Sequence, residues 1–121
     1  MQRPKVLIVE DESIQAMIIR RIVEGEGYEV AGVVDYAEEV MAAIEKQRPD
    51  LVLMDIYLKG GMNGVEAVRA INEKHPLPVI YVTGNTDDET YESAMKTRHV
   101  AYMEKPVERA ELCARMRSAL A

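Results

Sequence analysis

The side chains best suited to chemistry in this sequence are acids, a hydroxyl and a lysine that come directly after short apolar runs. Glu10 and Asp11 follow one run, and Asp55 follows another. Thr83 ends a third run, and Lys105 lies just beyond a fourth. Carboxylate oxygens are the ligands that Mg²⁺ prefers, and a carboxylate is also a nucleophile that forms aspartyl phosphates. These residue types together predict metal-assisted transfer of a phosphoryl group.

The apolar runs must be strands of one sheet if they are to bring these side chains together. Each run is short and followed by a helix-like stretch, which is typical of a parallel α/β sheet with helices on both faces. In such sheets the ligand crevice lies at the carboxyl ends of the strands. We predict strands at about 5–9, 28–34, 51–54, 79–83 and 100–103, helices at about 12–24, 37–47, 65–74 and 108–120, and a helix after Asn85 that Thr86 or Asp87 caps. The third and fourth strands are expected to be buried on both faces.

Three carboxylates at one edge of a sheet need a cation. Glu10, Asp11 and Asp55 would repel one another in a shared pocket unless positive charge lies between them. Mg²⁺ and the ammonium group of Lys105 would together neutralise them and leave a pocket that accepts a phosphoryl group. A solvated acid at a strand end is the alternative for any single residue, and it explains the whole set less well.

Bulk composition excludes several classes of protein. The 121 residues, 48% of them hydrophobic, predict one globular domain over residues 1–121. A net charge of -6 argues against nucleic acid or an anionic membrane as the direct partner. We see no apolar run that would span a bilayer and no secretory leader. The single cysteine, Cys113, allows no internal disulfide, and a cytoplasmic location is expected.

The chain resembles, over almost its full length, the receiver domain of a two-component response regulator. The matching residues are Glu10-Asp11, Asp55, Thr83-Gly84 and Lys105-Pro106, at the ends of strands one, three, four and five. The resemblance implies a single doubly wound (βα)5 domain of the flavodoxin-like α/β class, with a five-stranded parallel sheet in the order 2-1-3-4-5. It also implies a signalling switch, and no dedicated enzyme beyond catalysis of its own phosphorylation and dephosphorylation.

The same resemblance implies a role for each site residue. Asp55 would be the phospho-acceptor. The implied Mg²⁺ ligands are Asp55 and Asp11 directly, Glu10 through a water molecule, and the main-chain carbonyl of Tyr57. Two further residues, Thr83 and Lys105, would bind the phosphoryl oxygens.

A switching aromatic is implied at Tyr102, three residues before the lysine. Movement of Thr83 toward the phosphoryl group would let Tyr102 rotate inward and change the surface formed by the fourth helix, fifth strand and fifth helix. The output candidates on that surface are Tyr91, Met95, Arg98, Tyr102 and Arg109.

The implied partners are a histidine kinase or histidine phosphotransfer protein, which would supply the phosphoryl group, and a downstream protein target. The edge of the first helix at Ser13, Ile14 and Met17 would dock the donor, with burial against a neighbouring helix as the alternative. A phosphorylation-dependent dimer is also consistent with the family.

Three features depart from the family pattern. Glu10 stands where Asp is commoner, Lys59 stands where proline is usual, and the loop from Asp55 to Gly64 is one residue longer than the commonest form. They place in question the shape of that loop rather than the chemistry of Asp55. Lys59 would either approach the phosphoryl group or remain a solvated loop residue, and we favour the second.

Other readings of the pattern explain less. A haloacid-dehalogenase-type phosphatase would need an acid two residues after Asp55, where Tyr57 stands. The residues after strand one are acidic, unlike the phosphate-binding loops of flavodoxins and dinucleotide-binding proteins. The strongest alternative is a receiver-like module that binds proteins without being phosphorylated.

Overall fold

The computed structural model describes residues 2–121, in which strands and helices alternate along the chain. The strands are β1 (Lys5–Val9), β2 (Glu29–Val34), β3 (Leu51–Met54), β4 (Val79–Thr83) and β5 (Ala101–Glu104). The α-helices are α1 (Ser13–Gly25), α2 (Val40–Gln47), α3 (Gly64–Lys74), α4 (Asp88–Met95) and α5 (Arg109–Leu120). All the strand pairs are parallel and the order is β2-β1-β3-β4-β5, which confirms the predicted topology.

The core lies on both faces of the sheet. Every residue of β3 and β4 is buried, as expected for central strands of a parallel sheet covered by helices. One apolar cluster joins the sheet to α2, α3 and α4, and the other joins it to α1 and α5. Because both faces are covered, the polar side chains collect at the carboxyl edge. No helix within residues 2–121 is long and apolar enough to cross a bilayer.

Several predicted boundaries were wrong by a few residues. The segment predicted to start the second helix, Ala37–Glu39, forms a single 3₁₀ turn before α2. The fifth strand runs from Ala101 to Glu104 rather than from Val100 to Met103, because its pairing with β4 begins at Ala101 and extends to Glu104, which pairs with Thr83. Of the two predicted caps of α4, Thr86 and Asp87, the structure confirms Asp87, whose carboxylate accepts the Thr90 N–H at 2.7 Å.

The far end of α4 is held more firmly than its beginning. Arg98, just beyond α4, exchanges hydrogen bonds with the side chain and carbonyl of Asn72 on α3, at 2.7, 2.9 and 3.2 Å. The buried hydroxyl groups of Tyr81 and Thr97 share a bond of 2.7 Å. These contacts fix the carboxyl end of α4 to α3 and β4.

Candidate functional site

The three predicted acids meet at the carboxyl ends of β1 and β3. The Asp55 N–H donates to the Val9 carbonyl at 3.0 Å, which holds the ends of these strands together. As a result, one carboxylate oxygen each from Glu10, Asp11 and Asp55 lies within 4.8 Å of the others. Oxygen donors at this spacing suit a hard divalent cation.

Lys105 joins two of these acids. Its Nζ donates to Glu10 Oε1 at 2.5 Å and to Asp55 Oδ2 at 3.1 Å. Its backbone N–H donates to the Thr83 carbonyl at 2.8 Å, and a cis peptide bond joins it to Pro106. Burial by itself would lower the pKa of Lys105, but the hydrogen bond with Glu10 and the charge of Asp55 outweigh burial and raise that pKa above its ordinary value. The ammonium group is therefore held in its charged form.

Glu10 is the most deeply placed of the acids. Only 2% of the residue is exposed, and its second oxygen accepts the Glu12 N–H at 3.1 Å. Burial raises the pKa of Glu10, and the bonds from Lys105 and Glu12 offset part of that effect. The longer side chain that departs from the family pattern thus reaches Lys105 directly.

The two carboxylate oxygens of Asp55 differ in their hydrogen bonds. Oδ2 accepts from Lys105, while the buried Oδ1 has no hydrogen-bond partner within residues 2–121. A cleft of about 450 Å³ opens beside it, and Asp11, Tyr57 and Lys105 are among the residues that line it. A buried, unpaired carboxylate oxygen next to two further acids fits a Mg²⁺ ligand set, since such an atom is costly to leave without a partner.

Thr83 ends β4, and Tyr102 lies on the neighbouring strand β5. Thr83 is fully buried, and its Oγ1 has no partner in the described part of the chain. Tyr102 is half-buried, and its hydroxyl group shares a bond of 2.6 Å with Thr86 Oγ1. Burial raises the pKa of Tyr102, an effect that the bond with Thr86 opposes. The sequence analysis missed the Thr86 contact because nothing in the local pattern distinguishes this threonine from any loop residue.

The loop after Asp55 is tied to a neighbouring loop. Tyr36 and Lys59 form a parallel β-bridge, and the Gly61 N–H donates to Glu38 at 3.2 Å. These contacts hold the loop after Asp55 against the segment after β2. Lys59 is exposed, in agreement with the solvated alternative.

Gly64 is a site residue that the sequence analysis used only to place the loop. It begins α3, and its N–H donates to the Ile56 carbonyl at 2.8 Å. A Cβ atom here would overlap the carbonyl oxygen of Asp55. The Asn63 and Glu66 side chains form a capping box that fixes this helix start against the acceptor strand.

The two predicted binding surfaces are exposed to different degrees. On α1, Ile14 and Met17 of the predicted docking edge are 67% and 45% exposed, and the adjacent Ile18 is 42% exposed, so these side chains are not buried against a neighbouring helix. Two residues of the predicted output surface are already engaged: Arg98 is bonded to Asn72, and the Arg109 guanidinium lies against Gly25 at the end of α1. Of the remaining output candidates, Tyr91 is exposed and Met95 is partly buried.

Comparison with known proteins agrees with this geometry. Residues 6–117 match the family model described as the response regulator receiver domain. The chain is 31% identical over 118 residues to the DNA-binding response regulator MtrA of Mycobacterium tuberculosis, covering 98% of this chain and 51% of MtrA. It is 32% identical over 120 residues to the transcriptional regulatory protein YvrH of Bacillus subtilis, covering 99% of this chain and 50% of YvrH. The chain therefore spans about half the length of these curated relatives.

Solved structures give the same result. The signal receiver domain of a modulated diguanylate cyclase from Desulfovibrio desulfuricans G20 superposes with a TM-score of 0.92 at 36% identity, over 98% of this chain and 94% of that one. A CheY-like receiver domain protein from Methanospirillum hungatei JF-1 superposes with a TM-score of 0.90 at 31% identity, with the same coverage. The chain has a carboxylate cluster at the carboxyl edge of a sheet with the strand order 2-1-3-4-5. It belongs to the response regulator receiver domain family.

Proposed function

We propose that Asp55 accepts a phosphoryl group from a phosphohistidine and that this transfer switches a protein-binding surface. The observation that carries the proposal is the state of the Asp55 carboxylate. One oxygen is paired with Lys105, while the other is buried without a partner among the described residues and adjoins a cleft. Such a carboxylate is oriented by its cation, and an Asp carboxylate is a nucleophile that forms aspartyl phosphates.

In the transfer, an oxygen of Asp55 forms a bond to phosphorus while the phosphorus–nitrogen bond of the donor breaks. The donor imidazole keeps the electron pair of the broken bond, so its nitrogen can be protonated as it leaves. Lys105 already contacts Asp55, and it would pair with a phosphoryl oxygen with little movement. Glu10, Asp11, Asp55 and the Tyr57 carbonyl would hold Mg²⁺, which supplies further positive charge to the phosphoryl oxygens.

Thr83 would form a hydrogen bond with the phosphoryl group on Asp55. A phosphoryl group adds about -1.5 to -2 charge and three strong acceptor oxygens. The hydroxyl group of Thr83 has no partner within residues 2–121, so bonding to a phosphoryl oxygen costs it no existing hydrogen bond. Its movement toward Asp55 would open space for Tyr102 and change the surface of α4, β5 and α5.

The exposed surfaces support two kinds of protein partner. The exposed apolar side chains of Ile14, Met17 and Ile18 lie on α1, which starts just after Glu10 and Asp11. They would dock the phosphoryl donor, a histidine kinase or phosphotransfer protein. Tyr91, on the proposed output surface, is 44% exposed and would contact a downstream protein or a second copy. Since the relatives named as DNA-binding are about twice as long, the net charge of these 121 residues says nothing about nucleic acid binding by a longer protein.

Phosphorylation by a small donor tests the proposal. The wild type and Asp55→Asn are incubated with phosphoramidate and Mg²⁺, and their intact masses are recorded. We expect a Mg²⁺-dependent, base-labile adduct of about 80 Da, the mass of one HPO₃, in the wild type alone. Asp50→Asn, an exposed acid at the opposite edge of the sheet, serves as the matched control and should behave as the wild type. No adduct on a folded wild type that binds Mg²⁺ would favour the module that binds proteins without phosphorylation.

A further inference from the structure

The loop that links the acceptor site to α4 is held by a hydrogen bond that the family resemblance does not account for. Thr86 Oγ1 and the Tyr102 hydroxyl group lie 2.6 Å apart, and the pair is partly buried. The Tyr102 ring also packs against Tyr81, with 5.8 Å between ring centroids, and edge-to-face against Tyr91 at 5.0 Å. Together the bond and the two rings define one position for Tyr102.

Thr86 is placed so that a change at the acceptor site would reach it. It lies three residues after Thr83, in the loop of residues 84–87 between β4 and α4. The next residue, Asp87, caps α4 and also accepts a bond of 3.4 Å from the hydroxyl group of Tyr57, two residues after Asp55. The loop is therefore tied by one tyrosine hydroxyl group on the β5 side and by a longer, weaker bond on the acceptor side.

The opposite end of α4 differs, because Arg98 and Thr97 fix it to α3 and β4 through more numerous bonds. A displacement that starts at Thr83 would thus be absorbed in the loop and at the start of α4. We infer that Thr86 is a positioning residue for the switch. Its hydroxyl group holds Tyr102 in the position that it has when Asp55 is not phosphorylated, and so sets the balance between the resting and active states. This inference rests on the proposed phosphorylation of Asp55.

The consequence is a quantitative one. On this inference the bond to Thr86 belongs to the resting state, because movement of Thr83 toward the phosphoryl group would draw residue 86 away from Tyr102. Losing one partly buried hydrogen bond of this kind shifts an equilibrium about twofold to tenfold. A chain without the Thr86 hydroxyl group would populate the active arrangement more, and Asp55 would react faster with a small donor by about the same factor.

The test compares Thr86→Val, which keeps the shape and removes the hydroxyl group, with Thr86→Ser, which keeps the hydroxyl group. Initial rates with phosphoramidate and Mg²⁺ are measured by intact mass, and the apparent affinity for beryllium fluoride, a tetrahedral phosphoryl mimic, is measured by titration. The ring resonances of Tyr102 are followed by NMR without either reagent. Tyr102→Phe, alone and combined with Thr86→Val, completes a double-mutant cycle that remains informative if one variant folds poorly.

We expect Thr86→Val to react about twofold to tenfold faster, to bind beryllium fluoride correspondingly more tightly and to shift the Tyr102 resonances toward their position in the beryllium fluoride complex. Thr86→Ser should restore wild-type values, and the cycle should be non-additive. Three outcomes would overturn this inference but not the proposed function, provided that the wild type is phosphorylated. They are a Thr86→Val rate equal to or below that of the wild type, a Thr86→Ser rate as high as that of Thr86→Val, and an additive double-mutant cycle. A wild type that takes neither phosphoryl group nor beryllium fluoride would overturn the proposed function and this inference with it.

Discussion

The acceptor group, Glu10, Asp55 and Lys105, is joined by charge-assisted bonds. The neighbouring group on β4, β5 and the loop before α4 consists of the uncharged residues Thr83, Thr86 and Tyr102. We call these the carboxylate side and the hydroxyl side. Each group on the carboxylate side is held by another, apart from one oxygen of Asp55. On the hydroxyl side, Thr83 has no bond to its hydroxyl group within the described residues, and Tyr102 has a single one.

The difference separates chemistry from signalling. Phosphoryl transfer depends on fixed charges at fixed distances, because positioning and neutralisation supply most of the catalysis. A switch needs two arrangements that differ by only a few kcal/mol. Under the proposed function, the carboxylate side would meet the first requirement, and the hydroxyl side, which has fewer bonds, would meet the second.

The largest expected effect is the loss of the central cation. Lys105→Met leaves Glu10 and Asp55 as buried carboxylates without their cation, and removing one partner from such a group costs about 3 kcal/mol. The free energy of unfolding, measured by urea denaturation, should fall by about that amount, with part of it restored by Mg²⁺. Lys46→Met, at an exposed lysine on α2, should change it little. Equal stability of the two variants would mean that the carboxylate side is not held by its charges.

An alkaline titration tests the strand beneath the hydroxyl side. Burial raises the pKa of Tyr81 to about 12, from an ordinary value of 10.0. An acid whose pKa is raised by folding stabilises the protein below its unfolded pKa, and that contribution is lost as pH rises from 10.0 toward about 12. A pKa shift of this size corresponds to about 2 to 3 kcal/mol of folding free energy. Because Phe cannot ionise, Tyr81→Phe should lose less stability than the wild type at alkaline pH by about that amount.

The measurement is the free energy of unfolding of the wild type and Tyr81→Phe between pH 9 and pH 12, in about half-unit steps. Tyr91→Phe, at an exposed tyrosine, is the matched control. Parallel curves for all three proteins would show that ionisation of Tyr81 does not govern alkaline stability.

A pair of glycines compares the backbones of the two sides. Gly64→Ala would force a methyl group against the Asp55 carbonyl, whereas a Cβ at Gly84 meets nothing within 4 Å. We expect Gly64→Ala to lower the free energy of unfolding by about 1 to 3 kcal/mol and to slow phosphorylation, because the acceptor strand must shift. Gly84→Ala should be close to neutral in thermal denaturation. The reverse ranking would contradict the contrast between a closely packed carboxylate side and an open loop.

The smallest effect on stability is expected at Thr83. Its buried hydroxyl group has no hydrogen-bond partner in residues 2–121, so Thr83→Val removes an unsatisfied polar atom and should leave the free energy of unfolding unchanged or raise it by up to about 1 kcal/mol. The variant should still be phosphorylated at Asp55 but fail to shift the Tyr102 resonances in NMR spectra. A large loss of stability would instead identify Thr83 as a structural residue.

The sequence predicted the elements of the fold because the apolar runs of a parallel sheet are local and continuous. The strands at Lys5–Val9 and Val79–Thr83 were placed correctly to the residue. The boundaries that failed, at Ala37–Glu39 and Val100, depend on pairing and hydrogen bonds with distant segments. The roles assigned to the site residues remain predictions, although Glu10, Asp11, Asp55 and Lys105 do meet.

By itself the sequence determined which strands form and which polar side chains reach the carboxyl edge, since both follow from residue type and spacing. It also determined that three acidic residues, Glu10, Asp11 and Asp55, lie at this edge, where their negative charge needs a cation to offset it. Only the tertiary structure decided that Lys105 spans Glu10 and Asp55, that Gly64 lies against the acceptor strand and that Thr86 meets Tyr102. The physical reason is that these contacts join residues 8 to 95 positions apart, and their distances depend on how helices pack on the sheet rather than on any local pattern.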